Sequence, residues 1–166
     1  MHLKEGEGTL LFKQKGTVMR FSSKGRYAIA ALIYMSQKNY TEDQVTIISI
    51  AQALGISKIY LEQVFSMLKR ANIVTSLKGS QGGYKLSSPP EKITVGDIAR
   101  AVETSLFERT GATVSEEAIA IDKAMEILIW DKLDNAVALT LDQVTLLELA
   151  DKATGIDTGE NFMFFI

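Results

Sequence analysis

The stretch AQALGISKIYLEQVFSMLKRANIVTSLKGSQGGYK, residues 51–85, sets two helix signals and a glycine-rich hairpin in direct succession. Ile48, Ala51 and Leu54 repeat at three-residue steps up to Gly55, a residue suited to closing a helix in the left-handed conformation. Gly55-Ile56-Ser57 reads as a turn, and Ser57 as the cap of a second helix over residues 58–70. In that helix Leu61, Val64, Phe65 and Leu68 make one apolar stripe, while Lys58, Ile59, Glu62, Gln63 and Ser66 lie mainly elsewhere. Such a polar face suits a recognition helix in the major groove, where Glu and Gln can bond base edges and Lys can reach phosphate. Helix pairs of this kind also occur in ordinary all-α domains, so the next segment carries the decision.

Residues 73–77 read as a strand, Lys78-Gly79-Ser80-Gln81-Gly82-Gly83 as a turn, and Tyr84-Lys85-Leu86 as a returning strand. Glycines permit close backbone approach, so the tip can lie against a phosphate backbone with its N–H groups and Lys78 directed at the anion. A nucleotide-binding loop is disfavoured, because neither the strand-turn-helix order nor a Gly-Lys-Ser/Thr ending is present.

On SSKGRYAIAAL at 22–32, ISIAQALGISKIYLEQVFSMLKRANIV at 48–74 and LKGSQGGYKL at 77–86, the chain resembles the Rrf2 family of bacterial winged-helix transcription regulators. The resemblance runs from Met19 onward and is dense as far as Glu103. It implies that Tyr60, Leu61, Glu62 and Gln63 open the recognition helix, with Ser57, Lys58 and Ile59 alongside and Glu62 set to read a cytosine amino group. The family's basic wing residue falls on Lys78, which keeps phosphate attraction but lacks the planar fork of Arg. Lys24, Arg26 and Tyr27 match positions close to the DNA backbone.

Charge supports this reading independently. Residues 1–92 hold 13 Lys/Arg against 6 Asp/Glu and residues 93–166 hold 5 against 14, giving halves of +7 and −9 that sum to the net −2. A basic reading half and an acidic half facing away from DNA are expected. The 166 residues, 46% of them hydrophobic, can bury one substantial core, or a small core with a dimer interface. No apolar run approaches the roughly 20 residues of a membrane span, and a cytoplasmic protein is expected. The expected fold is mainly α with a small β wing: an N-terminal extension (1–18), a winged helix-turn-helix domain (19–104), and a linker, long dimerisation helix and C-terminal helix with an apolar tail (105–166).

After Pro89-Pro90, Thr94 and Asp97 resemble a helix cap that leads Ile98, Ala101 and Val102 onto the core. Residues 105–115 read as a loop before a helix capped by Ser115. In many Rrf2 proteins this region carries three cysteines that bind an iron-sulfur cluster, but this chain has no cysteine. No cofactor is expected, and cluster ligation by cysteine, disulfides and thiol redox sensing are all excluded. Over residues 116–137, Ile121, Met125 and Leu128 form one stripe and Ile127, Trp130, Leu133 and Val137 another, more apolar surface than one small domain covers. A homodimer is expected, placing two recognition helices on the half-sites of a palindromic operator. Thr140 with Gln143 reads as a capping box for a last helix through Leu141, Val144, Leu147 and Ala150.

The sequence closes on Phe162-Met163-Phe164-Phe165-Ile166. In a cysteine-free Rrf2 member this resembles the family's cysteine-metabolism repressors, which act with O-acetylserine thiol-lyase (cysteine synthase). The resemblance implies that the Ile166 carboxylate mimics the amino-acid substrate while Phe164 and Phe165 pack at the pocket mouth, so that O-acetylserine competes. The alternative is a tail that packs along the dimer helix or adds a strand to its own fold. Catalysis is not expected, since the only histidine is His2 and no carboxylate-histidine cluster has metal-ligand spacing. A winged interaction module without DNA binding would use the same apolar features.

Overall fold

The computed structural model describes residues 21–38, 44–79, 82–108 and 111–158. Helix α1 (Ser23–Gln37) starts on Ser22, whose hydroxyl accepts the Gly25 N–H, and buries Ala28, Ala31, Leu32 and Met35 at helical spacing. Helix α2 (Ile47–Leu54) is capped by Thr46 and ends on Gly55 at φ 64°. Its inward stripe is Ile47, Ile50, Ala51 and Leu54. Ile48, expected on that stripe, is exposed, because it sits one residue round the helix from Ile47.

Helix α3 (Lys58–Arg70) buries the four expected residues Leu61, Val64, Phe65 and Leu68. Ser57 occupies its N-cap position, but the serine hydroxyl makes no capping hydrogen bond there. The helix ends where Asn72 turns left-handed at φ 57°. The Asn72 and Ile73 N–H groups then return to the Lys69 and Leu68 carbonyls at 3.0 and 2.9 Å, which stops the helix and aims the chain into the wing.

The wing pairs β1 (Val74–Leu77) with β2 (Gly83–Leu86) antiparallel, Val74 opposite Leu86 and Leu77 opposite Gly83. Val45 adds an isolated bridge to β2 through two 2.9 Å bonds with the Tyr84 backbone. A Cβ at Gly83 would lie 3.0 Å from the Val45 carbonyl oxygen, so glycine permits this approach. The Tyr84 ring meets Phe65 edge-on at 4.7 Å and fastens the wing to α3.

Helix α4 (Val95–Val102) opens with the expected Thr94–Asp97 capping box and closes the core with Ile98, Ala99 and Val102. Beyond a helical turn at Thr104–Leu106 and another at Glu116–Ala118, α5 (Ile119–Met125), a π-helical turn (Glu126–Trp130) and α6 (Asp131–Asp142) run on as one long helix. Ser115 precedes this stretch without a capping side-chain bond.

The last helix, α7 (Leu146–Asp157), is capped by Thr145 and Glu148, not by Thr140 and Gln143. Thr140 lies inside α6, its hydroxyl donating to the Ala136 carbonyl at 2.7 Å. The break falls later because Thr145 bridges Thr94, with Val95 N–H bonded to Val144 O and Leu146 N–H to Ile93 O. Helix α7, within the stretch assigned to the arm, returns to α1 and buries Leu146 and Ala150. Its Thr154 hydroxyl accepts from Gln37 Nε2 at 3.2 Å.

Candidate nucleic-acid interface

The first turns of α1 and α3 start side by side. Tyr27 of α1 and Tyr60 of α3 hold their rings 6.0 Å apart, and Ser22, Ser23, Lys24 and Tyr60 line one shallow groove with residues 102–105. Lys24 and Arg26 are exposed and Tyr27 is half-buried. Arg26 Nη2 donates to Ser23 Oγ at 3.3 Å.

On α3, Ser57, Lys58, Ile59, Tyr60, Glu62 and Gln63 are all exposed, Ile59 at 67%. The apolar stripe of this helix is taken up by the core, which leaves these six side chains facing solvent. Lys58 Nζ and Glu62 Oε1 pair at 3.4 Å across one helical turn, an exposed pair that a phosphate and a base can separate at little cost.

In the wing, Lys78, Gly79 and Gly82 are exposed, Gly79 at φ 134° with its carbonyl accepting the Gly82 N–H. Gly83 differs from them in being buried as the first residue of β2. Ser80 and Gln81 lie outside the described residues.

On the long helix Ile121, Ile127, Leu128, Trp130 and Leu133 are exposed, while Met125 and Val137 are half-buried. Ile119, Ile129 and Leu139 are exposed as well, residues that the two stripes omitted. The π turn explains part of the difference: Asp131 N–H bonds to Glu126 O, five residues back, so the face presented after Trp130 is rotated from a regular 3.6-residue period. The tail residues Phe164, Phe165 and Ile166 lie outside the described residues.

A family model described as "Iron-dependent Transcriptional regulator", Rrf2, matches residues 21–152. The chain belongs to the Rrf2 family. It is 36% identical over 148 residues to the HTH-type transcriptional regulator CymR of Bacillus subtilis, a match covering 89% of this chain and 100% of that one. With the HTH-type transcriptional regulator IscR of Escherichia coli O1:K1 it shares 33% over 141 residues, 85% of this chain and 86% of the other. The solved structure of CymR, described as the global cysteine regulator of B. subtilis, superposes with a TM-score of 0.64 over 81% of this chain and 98% of that one. IscR of T. potens superposes at 0.60 with 31% identity, covering 82% and 89%.

This Rrf2 regulator is therefore a DNA-binding winged-helix transcription factor, mostly helical with a two-stranded wing. Among the described residues, the iron in the family's description finds no matching ligand set. The chain has no cysteine, and among the described residues no group of three or more His, Asp or Glu side chains could hold a metal. Nor, among the described residues, is any helix long and apolar enough to cross a membrane.

Proposed function

We propose that this Rrf2 regulator is a dimeric repressor that works without an iron-sulfur cluster and controls cysteine or sulfur metabolism. What supports DNA contact at the assigned residues is the Tyr27–Tyr60 contact, which sets exposed Lys24 and Arg26 beside the exposed first turn of α3. Lys58 and Lys78 with the Gly79–Gly82 tip would bind phosphate, and Glu62, Gln63 and Ile59 would face base edges. Residues 19–104 would form the reading domain and residues 105–166 the arm. A second copy laid along Ile121, Ile127, Leu128, Trp130 and Leu133 would bury apolar surface that one protomer leaves in water. If the dimer neutralises roughly 6 to 8 phosphates, log affinity should fall with log salt at a slope of about −5 to −7.

The link to sulfur rests on the likeness to CymR, at 36% identity over 89% of this chain. By this reading the tail Phe164-Phe165-Ile166 docks on cysteine synthase and O-acetylserine competes with it. Calorimetric titration of the full chain into cysteine synthase, beside a chain lacking residues 164–166, tests this. Binding that requires the tail and is competed by O-acetylserine is expected. No binding would leave a DNA-binding Rrf2 regulator that answers to a different signal.

A further inference from the structure

Helices α4 and α7 each begin on a capping box closed within four residues. The Thr94 hydroxyl accepts the Asp97 N–H and the Asp97 carboxylate accepts the Thr94 N–H at 3.0 Å; Thr145 and Glu148 repeat the exchange, the return bond being 2.8 Å. Helix α1 begins the same way, Ser22 Oγ accepting the Gly25 N–H at 3.2 Å. The residue that should return the second bond is Gly25, which has no side chain.

That bond comes instead from 81 residues away, where Glu103 Oε1 accepts the Ser22 N–H at 2.6 Å. A Cβ added at Gly25 would run into this carboxylate and the Phe21 ring, so glycine leaves the space that Glu103 fills. Glu103 is only 8% exposed and is the one charged side chain in the buried set of described residues. Burying a carboxylate is costly unless its bonds are met, and a helix N-terminus is a favourable place to meet them.

We propose that Glu103 is a positioning residue for DNA binding. It stands where α4 ends and the chain leaves toward the long helix. By completing the α1 capping box from there, it holds the turn that carries Lys24 and Arg26 and sets Tyr27 against Tyr60. Without it the Ser22 N–H loses its acceptor, the first turn frays, and Lys24 and Arg26 are no longer held against the phosphates they would neutralise. A displacement of the arm at this point reaches the DNA-facing end of α1 through one hydrogen bond. The inference rests on the assignment of Lys24 and Arg26 to the phosphate backbone.

The test compares wild type, Glu103→Ala and Glu103→Gln as full chains, binding a duplex selected from a random pool and a random-sequence duplex across a salt series. Glu103→Ala should weaken binding to both by about tenfold and make the salt slope shallower by about 1 to 2, roughly one unit for each phosphate that is no longer neutralised. Glu103→Gln, whose amide oxygen can accept the same N–H, should restore most of both. Should the Ala variant not fold, Glu103→Asp, one methylene short of Ser22, takes its place with the same expected change of slope. A folded Ala or Asp variant with wild-type slope overturns the positioning role, whether or not affinity falls. A Gln variant as impaired as Ala overturns the hydrogen bond as the means. Wild type that binds no duplex in a salt-sensitive way would sink the DNA-contact reading itself, a different result from either.

Discussion

Arg100 Nη2 donates to Asp142 Oδ2 at 2.6 Å, joining α4 of the winged core to the last residue of α6. The same guanidinium lies over the Phe107 ring at 5.4 Å and reaches Asp97 Oδ1 at 3.7 Å. One side chain therefore touches Phe107, before the long helix, and Asp142, its last residue, so both flanks of that helix are tied to a single point on α4.

The hydrogen bond from Arg100 holds the Asp142 carboxyl below its ordinary value and raises Arg100. A depressed carboxylate stabilises the fold above the ordinary Asp value of about 3.9, and this contribution disappears as pH falls through the lower folded value. Asp142→Asn should therefore melt below wild type at neutral pH, with the gap closing on acidification past the carboxylate range. A gap that persists at acid pH would mean that shape, not charge, is lost.

Gly96 packs so closely on Asp142 that a Cβ there would collide with the carboxylate. Gly96→Ala should displace Asp142 from Arg100, so its cost should shrink once Asp142 is already Ala. A double-mutant cycle by denaturant unfolding should show coupling of at least about 0.5 kcal/mol, where independent sites would add.

Lys78→Ala should weaken binding to all duplexes alike and make the salt slope shallower by about 0.9 for each phosphate released. Glu62→Ala should mainly relax base preference, by about 1–3 kcal/mol at one position of the operator. Equal losses on specific and random DNA for Glu62→Ala would remove its assignment to base reading.

Leu128→Asp places a carboxylate on the exposed apolar surface of the long helix. Sedimentation should show a dimer dissociation constant raised by at least about a hundredfold, since an unpaired charge in an apolar interface costs several kcal/mol. Trp130 reports the same event: its emission should shift to the blue on assembly and stay that of exposed indole in the variant.

Phe65 is fully buried and its ring meets Tyr84 of the wing. Phe65→Ala should cost about 3–5 kcal/mol in chemical denaturation. The wing should lose amide protection before the helices do.

Local sequence determined what needs only local chemistry. Gly55 ended α2 because the left-handed turn suits glycine, Thr94 with Asp97 opened α4, and the spacing of Leu61, Val64, Phe65 and Leu68 chose the buried face of α3. The two halves of opposite charge and the absence of cysteine are likewise plain in the residues.

Tertiary structure decided the rest, wherever two segments compete for the same backbone groups or the same space. Thr140-x-x-Gln143 is a reasonable cap in isolation, but backbone bonds to Ile93 and Val95 pulled the chain out of helix before Thr145, and the cap formed there. Ile48 and Ile47 are equivalent in composition, and only packing against the core separates them. The π turn at Glu126–Trp130 carries no signal in periodicity, yet it changes which side chains the long helix presents. Gly25 and Glu103 stand 78 positions apart with no local signal to link them, and become a matched pair because folding brings the end of α4 onto the start of α1.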